Sequence, residues 1–157
     1  MNLIVAVDQN WAIGRDNKLL YPIPADLKRF RALTTGHAVI MGRKTLESFP
    51  NGPLPNRLNI VLSRNPAYQV PGAQVVPGRA EALALAAPDS FVIGGEGIYR
   101  LFLDVCDTAY VTKIGAAFPA DAWFPDLDAD PGWYAAEESE PMEYNDVAFR
   151  YVTYRRR

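Results

Sequence analysis

Short unbroken apolar runs alternate with amphipathic stretches from the first residues onward. Leu3-Ile4-Val5-Ala6-Val7 is continuous and rich in branched side chains, the pattern of a strand buried on both faces, which predicts a central strand. Similar runs recur at Ala38-Val39-Ile40-Met41, Asn59-Ile60-Val61-Leu62, Phe91-Val92-Ile93 and Ala109 to Ile114, with a shorter one at Gln74-Val75-Val76. Between them, helical patterns start at Pro24, after Gly42, at Arg79 and at Ile98. Strands separated by single helices predict a parallel arrangement with helices on both faces. Ala148 to Tyr154 alternates as a closing strand with no helix before it, which predicts an antiparallel end with this strand at or near an edge. The fold class expected is therefore α/β. It is a mostly parallel central sheet of about eight strands with an antiparallel C-terminal end, flanked by about four helices.

Three stretches fit neither period. Asp8 to Leu20 has turn signals at Gly14-Arg15 and Asp16-Asn17 yet carries Trp11, Ile13, Leu19 and Leu20. A polar linker has no need of such groups, so this loop is expected to close over something. Phe49 to Arg57 is broken by prolines and a glycine but presents Phe49, Leu54 and Arg57, a rigid surface loop. Asp121 to Trp133 reads as an acidic loop.

The helix from Pro24 holds the most informative side chain. Proline suits a first helical turn, where its missing N–H has no partner to lose. Leu27, Phe30 and Leu33 recur at intervals of three and form an apolar stripe, with Lys28, Arg29 and Arg31 pointing elsewhere. Asp26 falls at the edge of that stripe. A first-turn acid can simply complement the helix dipole. It can instead line an apolar cleft and hold a cationic or amidine-like ligand. In the second case desolvation raises its pKa, the helix N-terminus lowers it, and desolvation is expected to win.

Composition narrows the field. A chain of 157 residues, 49% hydrophobic and 22% charged, is long enough for one substantial core and is expected to form a single domain spanning residues 1–157. A net charge of -2 argues against a general nucleic-acid surface. Cys106 and His37 are each the sole residue of their type, so neither a disulfide, a zinc site nor a Ser-His-Asp triad is expected. The first apolar run ends at Asp8 without basic residues before it, unlike a signal peptide or membrane span. A cytosolic protein is expected, and nothing requires more than a monomer.

Two strand-to-helix junctions invite an anion. Gly42-Arg43-Lys44-Thr45 gathers free backbone N–H groups, two cations and a hydroxyl, and Ser63-Arg64 adds a similar pair after the third long run. Gly94-Gly95-Glu96-Gly97 would let a pyrophosphate approach the backbone, although its spacing is not the dinucleotide fingerprint GxGxxG. Each is also readable as an ordinary turn or helix start.

In register along the chain, Ile13-Gly14, Asn17, Pro24-Ala25-Asp26-Leu27, Phe30, Val39 to Thr45, Ser48, Pro53-Leu54-Pro55, Arg57, Ser63-Arg64 and Ile93-Gly94-Gly95 with Tyr99 resemble dihydrofolate reductases of the bacterial chromosomal type. The resemblance covers essentially the whole chain. It implies hydride transfer from NADPH to the pteridine ring of dihydrofolate. It also implies that Asp26 is the one ionisable group at the pterin, supported by Thr112, with Tyr21 close by. Ile4, Val5, Ala6 and Ile93 would line the pterin pocket, Leu27, Phe30, Phe49 and Leu54 the aminobenzoyl part, and Arg57 would pair with the glutamate α-carboxylate. For the cofactor it implies Ala6, Ile13, Gly14, Asn17 and Leu19 at the nicotinamide, and Gly42, Thr45 and Gly94 to Gly97 around the pyrophosphate. Arg43, Lys44, Leu62, Ser63 and Arg64 would surround the adenosine 2′-phosphate, with Ile98 and Tyr99 behind. A cis peptide between Gly94 and Gly95 is implied as well.

Some positions depart from that family. Tyr21 replaces a usual tryptophan, and its ring and polar hydrogen leave a water bridge to the pterin open. Leu20 replaces a proline, Leu19 a methionine, and Glu96 a frequent glycine, placing a negative charge near the pyrophosphate. Two other readings stay open on sequence alone. One is a riboflavin-pathway pyrimidine reductase of the same fold, which gives no reason for Asp26 and Arg57 together. The other is a folate- or nucleotide-binding protein without turnover.

Overall fold

The computed structural model describes residues 1–157. Its main sheet is built on β1 (Asn2–Val7), flanked by parallel strands β7 (Phe91–Gly94) and β8 (Thr108–Ile114). Beyond β7 lie β4 (Ala38–Gly42), β5 (Leu58–Leu62) and β6 (Ala73–Val76), all parallel. β12 (Val147–Arg156) runs antiparallel beside β8. With β10 (Trp133–Glu138) outside β12, the order is β10-β12-β8-β1-β7-β4-β5-β6, the mixed sheet that the alternation of strands and helices predicts.

The closing strand is not the edge. β10 (Trp133–Glu138) and β11 (Met142–Tyr144) pair along its outer side, with a bulge at Ala135/Glu137. Both escape a sequence reading because they are short and, Trp133 apart, not buried, so neither period emerges. A strand with one wet face and a bulge carries little hydrophobic signal.

Helix α1 (Pro24–Thr34) has Pro24 in its first turn and Ile23 as an extended N-cap without a side-chain cap. Phe30 and Leu33 pack on the sheet face that carries Ile4, Val39, Met41, Val61, Phe91 and Ile93. α2 (Arg43–Glu47) adds Leu46 to the same cluster. On the opposite face, Ala82 of α3 (Arg79–Leu85) and Tyr99 and Phe102 of α4 (Glu96–Phe102) cover Leu3, Val5, Ile40, Ile60, Val92 and Val111. Alternation along β1 explains the split, since Ile4 and Val5 necessarily face opposite ways.

The stretch Asp8 to Leu20 is folded, not irregular. β2 (Ala12–Arg15) and β3 (Lys18–Leu19) form an antiparallel pair that joins β9 (Ala122–Trp123) in a second, three-stranded sheet. The acidic stretch thus supplies a strand. Asp8, only 2% exposed, anchors the start of this flap. Its Oδ1 accepts the N–H groups of Asn10 and Ala12, and its Oδ2 accepts that of Phe118. At the far end Asp121 Oδ2 accepts the Asp16 N–H at 3.0 Å, and the Asp121 N–H donates to the Gly14 carbonyl at 3.0 Å. No helix is long and apolar enough to cross a membrane.

Candidate active site

The C-terminal half of β1 and the strands beside it run beneath the first turn of α1. Ala6, Thr112 and Tyr151 are register partners on β1, β8 and β12, so their side chains share one face. Asp26 reaches that face from the first turn of α1, where Thr112 Oγ1 donates to its Oδ1 at 2.5 Å. Burial pushes the Asp26 carboxyl above its ordinary value, while the Thr112 hydrogen bond and the Arg29 charge pull partly the other way. Desolvation wins, as expected, but the counterweight comes from these two side chains.

Arg29 does not point away from the site, as the helical stripe predicts, but over the aromatic rings of the sheet beneath. Its guanidinium carbon lies 4.0 Å from the centroid of the Tyr151 ring and 5.9 Å from that of Tyr110. Aromatic faces attract a cation whose aliphatic stem is buried, and this pair of tyrosines draws Arg29 toward the sheet. Burial lowers its pKa, and Tyr151, Asp26 and Tyr110 oppose that effect. The signal lay in the alternation that puts Tyr110, Thr112 and their neighbour Tyr151 on one face, which cannot be paired with a helix before the topology is known.

Ile4 and Ile93 pack in one cluster with Phe30, Phe49 and Leu54, so these five meet as a wall. Val5, which alternation turns the other way, packs in the opposite cluster and not with this wall. Leu27 is 47% exposed, which narrows the packed stripe to the half-buried Phe30 and Leu33 and leaves an apolar side chain uncovered. Arg57 is held at the end of α1, with Nη1 donating to Thr34 Oγ1 at 3.0 Å and Nε to the Pro55 carbonyl at 2.9 Å. Its Nη2 is used by neither. Asn59, buried in β5, fixes the loop before it through bonds to Leu54 N–H, Leu54 O and Arg57 O.

Tyr21 stacks on Phe118, with centroids 5.5 Å apart, and meets Tyr144 edge-on. Its hydroxyl donates to the Tyr144 carbonyl at 2.8 Å. The polar hydrogen that could have served a water bridge is therefore engaged with the C-terminal hairpin.

On the other side of the flap, the starts of α2 and α4 come close together. A Cβ added at Gly42 would lie 3.1 Å from Ile98 Cγ1, and one at Gly95 would lie 3.8 Å from Thr45 Oγ1. At Gly97 it would meet nothing within 4 Å. These glycines leave a shallow cradle bounded by the Thr45 hydroxyl and the first, unpaired N–H groups of α4. The peptide between Gly94 and Gly95 is cis. Tyr99 is buried, and its hydroxyl donates to the Ile4 carbonyl at 2.7 Å, which fastens α4 to β1.

Arg43 is paired with Glu47 on its own helix, and Arg100 with Glu96. Lys44 and Arg64 have no acidic partner and are exposed, beside the half-buried Leu62 and Ser63, whose Oγ accepts the Asn65 N–H. Two unpaired cations, two hydroxyls and free backbone donors suit a polyphosphate that ends in a further phosphate. The flap reaches this side too. Asn17 Nδ2 donates to the Lys44 carbonyl at 2.8 Å, Ile13 packs on the core, and Leu19 is 49% exposed.

Comparison with known proteins agrees with this architecture. The dihydrofolate reductase family profile matches residues 1–156. Dihydrofolate reductase type 3 of Salmonella typhimurium is 41% identical over 157 residues, covering 98% of this chain and 96% of its own. The Bacillus subtilis (strain 168) dihydrofolate reductase is 36% identical over 161 residues, covering 100% and 95%. The solved structure of dihydrofolate reductase from Enterococcus faecalis, complexed with NADP(H) and the ligand RAB-propyl, superposes with a TM-score of 0.87. It is 35% identical and covers 99% of this chain and 95% of that one. With whole-length agreement in sequence and in fold, this chain belongs to the dihydrofolate reductase family.

Proposed function

We propose that residues 1–157 act as one domain that reduces dihydrofolate to tetrahydrofolate with NADPH, and that Asp26 is its catalytic acid group. The Asp26–Thr112 pair carries this reading, since it puts a desolvated carboxylate against the apolar wall of Ile4, Ile93, Phe30, Phe49 and Leu54. A planar, amidine-bearing heterocycle fits such a place. Its amino group and ring nitrogen can donate to the two oxygens, and its faces can lie on the wall.

NADPH supplies the hydride when bound. The chain's own residues do the rest. Asp26 binds the pterin edge and favours its protonated form, because a carboxylate in low dielectric stabilises a cation more than it would in water. Thr112 orients the carboxylate, and the flap of β2 and β3 excludes water. Lys44, Ser63 and Arg64 attract the 2′-phosphate, which distinguishes NADPH from NADH, and Thr45 with Gly95 to Gly97 cradles the pyrophosphate. Arg57, braced by Thr34 and Pro55, offers its remaining N–H groups to the substrate's α-carboxylate.

Arg57→Ala is expected to raise KM for dihydrofolate about 10- to 100-fold with kcat little changed, the size of a lost charge-assisted hydrogen bond. Initial rates over a range of dihydrofolate concentrations check it, and an equal fall in kcat would place Arg57 elsewhere in the mechanism. Arg29→Met is expected to move the acid limb of kcat/KM to higher pH. The cation favours ionised Asp26, so its removal raises the carboxyl further. A profile displaced toward lower pH would refute the role given to Arg29.

A further inference from the structure

Glu96 departs from the family pattern and opens α4 beside the proposed pyrophosphate cradle, yet its carboxylate is turned to other partners. Oε1 accepts the backbone N–H of Trp123 in β9 at 2.9 Å, and Oε2 accepts Arg100 Nε at 3.3 Å. β9 is the strand through which the flap is held, pairing at Ala12↔Trp123 and Gly14↔Ala122. The next residue, Phe124, donates its N–H to the Trp11 carbonyl at 2.8 Å and packs edge-on against Tyr99, with centroids 4.9 Å apart. Asn17 ties the flap's other end to α2. The flap is therefore fastened to both helices that border the cradle. The α4 fastening nearest the cradle is one side-chain carboxylate.

We propose that Glu96 is a positioning residue that clips β9, and through it the flap, to the start of α4, so that the cradle and the flap hold one another in place. Arg100, one turn along, orients the carboxylate and offsets its charge. The negative charge thus serves as a hydrogen-bond acceptor for the flap. The link to NADPH rests on the proposed function, but the clip itself does not.

Backbone amide exchange in the protein without cofactor tests the clip directly. In Glu96→Ala the Trp123 N–H is expected to exchange about tenfold faster or more, as befits loss of a charge-assisted bond. In Glu96→Gln, which keeps a carbonyl acceptor and drops the charge, it is expected to stay within about threefold of wild type. Protection at Val111 and Val152 in the core is expected to be unchanged in both. Titration with NADPH then tests the coupling, with affinity weakened about fivefold in the alanine variant and equal or tighter in the glutamine variant. Unaltered Trp123 exchange in Glu96→Ala would overturn the clip. Tighter NADPH binding by both variants would overturn the coupling and leave Glu96 as a repulsive charge. A wild-type protein that does not bind NADPH would refute the functional reading, with the exchange result still deciding the clip.

Discussion

Asp26→Asn is expected to lower kcat at neutral pH by about 10²- to 10⁴-fold, the range spanned by positioned acid–base groups. Asparagine keeps the shape and can still accept from Thr112, but it cannot stabilise a cationic pterin. The variant's rate should therefore climb as pH falls, because protonated substrate then comes from solution. Stability should move in the opposite sense to activity. A carboxyl whose pKa is raised on folding binds its proton more tightly in the native state. Its contribution to stability thus falls as pH rises from the unfolded value through the folded one. Above that window wild type carries the cost of a desolvated anion, and Asp26→Asn should melt at a higher temperature. Steady-state rates and thermal melts of both proteins from acid to neutral pH check the pair. Retained activity would remove Asp26 from the chemistry, and a lower melting temperature would mean that the ionised carboxylate stabilises the fold.

Gly94→Ala is expected to destabilise the protein by about 2–5 kcal/mol, combining backbone strain with overpacking. Gly94 has φ +117, a conformation that L side chains rarely adopt. An added Cβ would lie 3.1 Å from Tyr99 Cε2 and 3.3 Å from Cζ and Oη. The Tyr99 ring has little freedom to retreat, since its hydroxyl is bonded to the Ile4 carbonyl and Phe124 meets it edge-on. For a chain of this size the melting temperature should fall by roughly 5–15 °C. Gly97→Ala is the matched control, because its Cβ would meet nothing within 4 Å, and it should melt within a few degrees of wild type. Equal melting temperatures for Gly94→Ala and wild type would contradict the packing argument.

Much of this architecture is legible in the chain itself. The unbroken apolar runs at Leu3–Val7, Ala38–Met41 and Asn59–Leu62 identify the parallel strands because burial on both faces leaves them no polar alternation. Pro24 marks the start of α1 for an equally local reason. What escapes sequence reading depends on long-range partners. β2, β3 and β9 are two to four residues long; β2 and β9 become strands by pairing across more than a hundred positions, which no local period reports, and β3 is a two-residue partner of β2. The same holds for side chains. Asp26 is readable as a candidate from its place at the edge of a stripe. Arg29 is not, because the tyrosines that hold it belong to strands far along the chain. Glu96 is visible as a departure, but the partner that gives it a purpose is a backbone N–H on β9. The engagement of the Tyr21 hydroxyl with Tyr144 is likewise set by the C-terminal hairpin, whose first strand, β11, is three residues long and carries little pattern of its own.

Following NADPH absorbance after adding dihydrofolate to the purified protein, with NADH as the control cofactor, decides whether this chain is a working reductase. The proposed activity requires turnover with NADPH, a much weaker rate with NADH, and recovery of part of the NADH rate relative to NADPH when Lys44 and Arg64 are both replaced by alanine. Tight binding of NADPH and folate with no turnover would contradict it, and would leave a binding protein on a reductase fold as the reading to pursue.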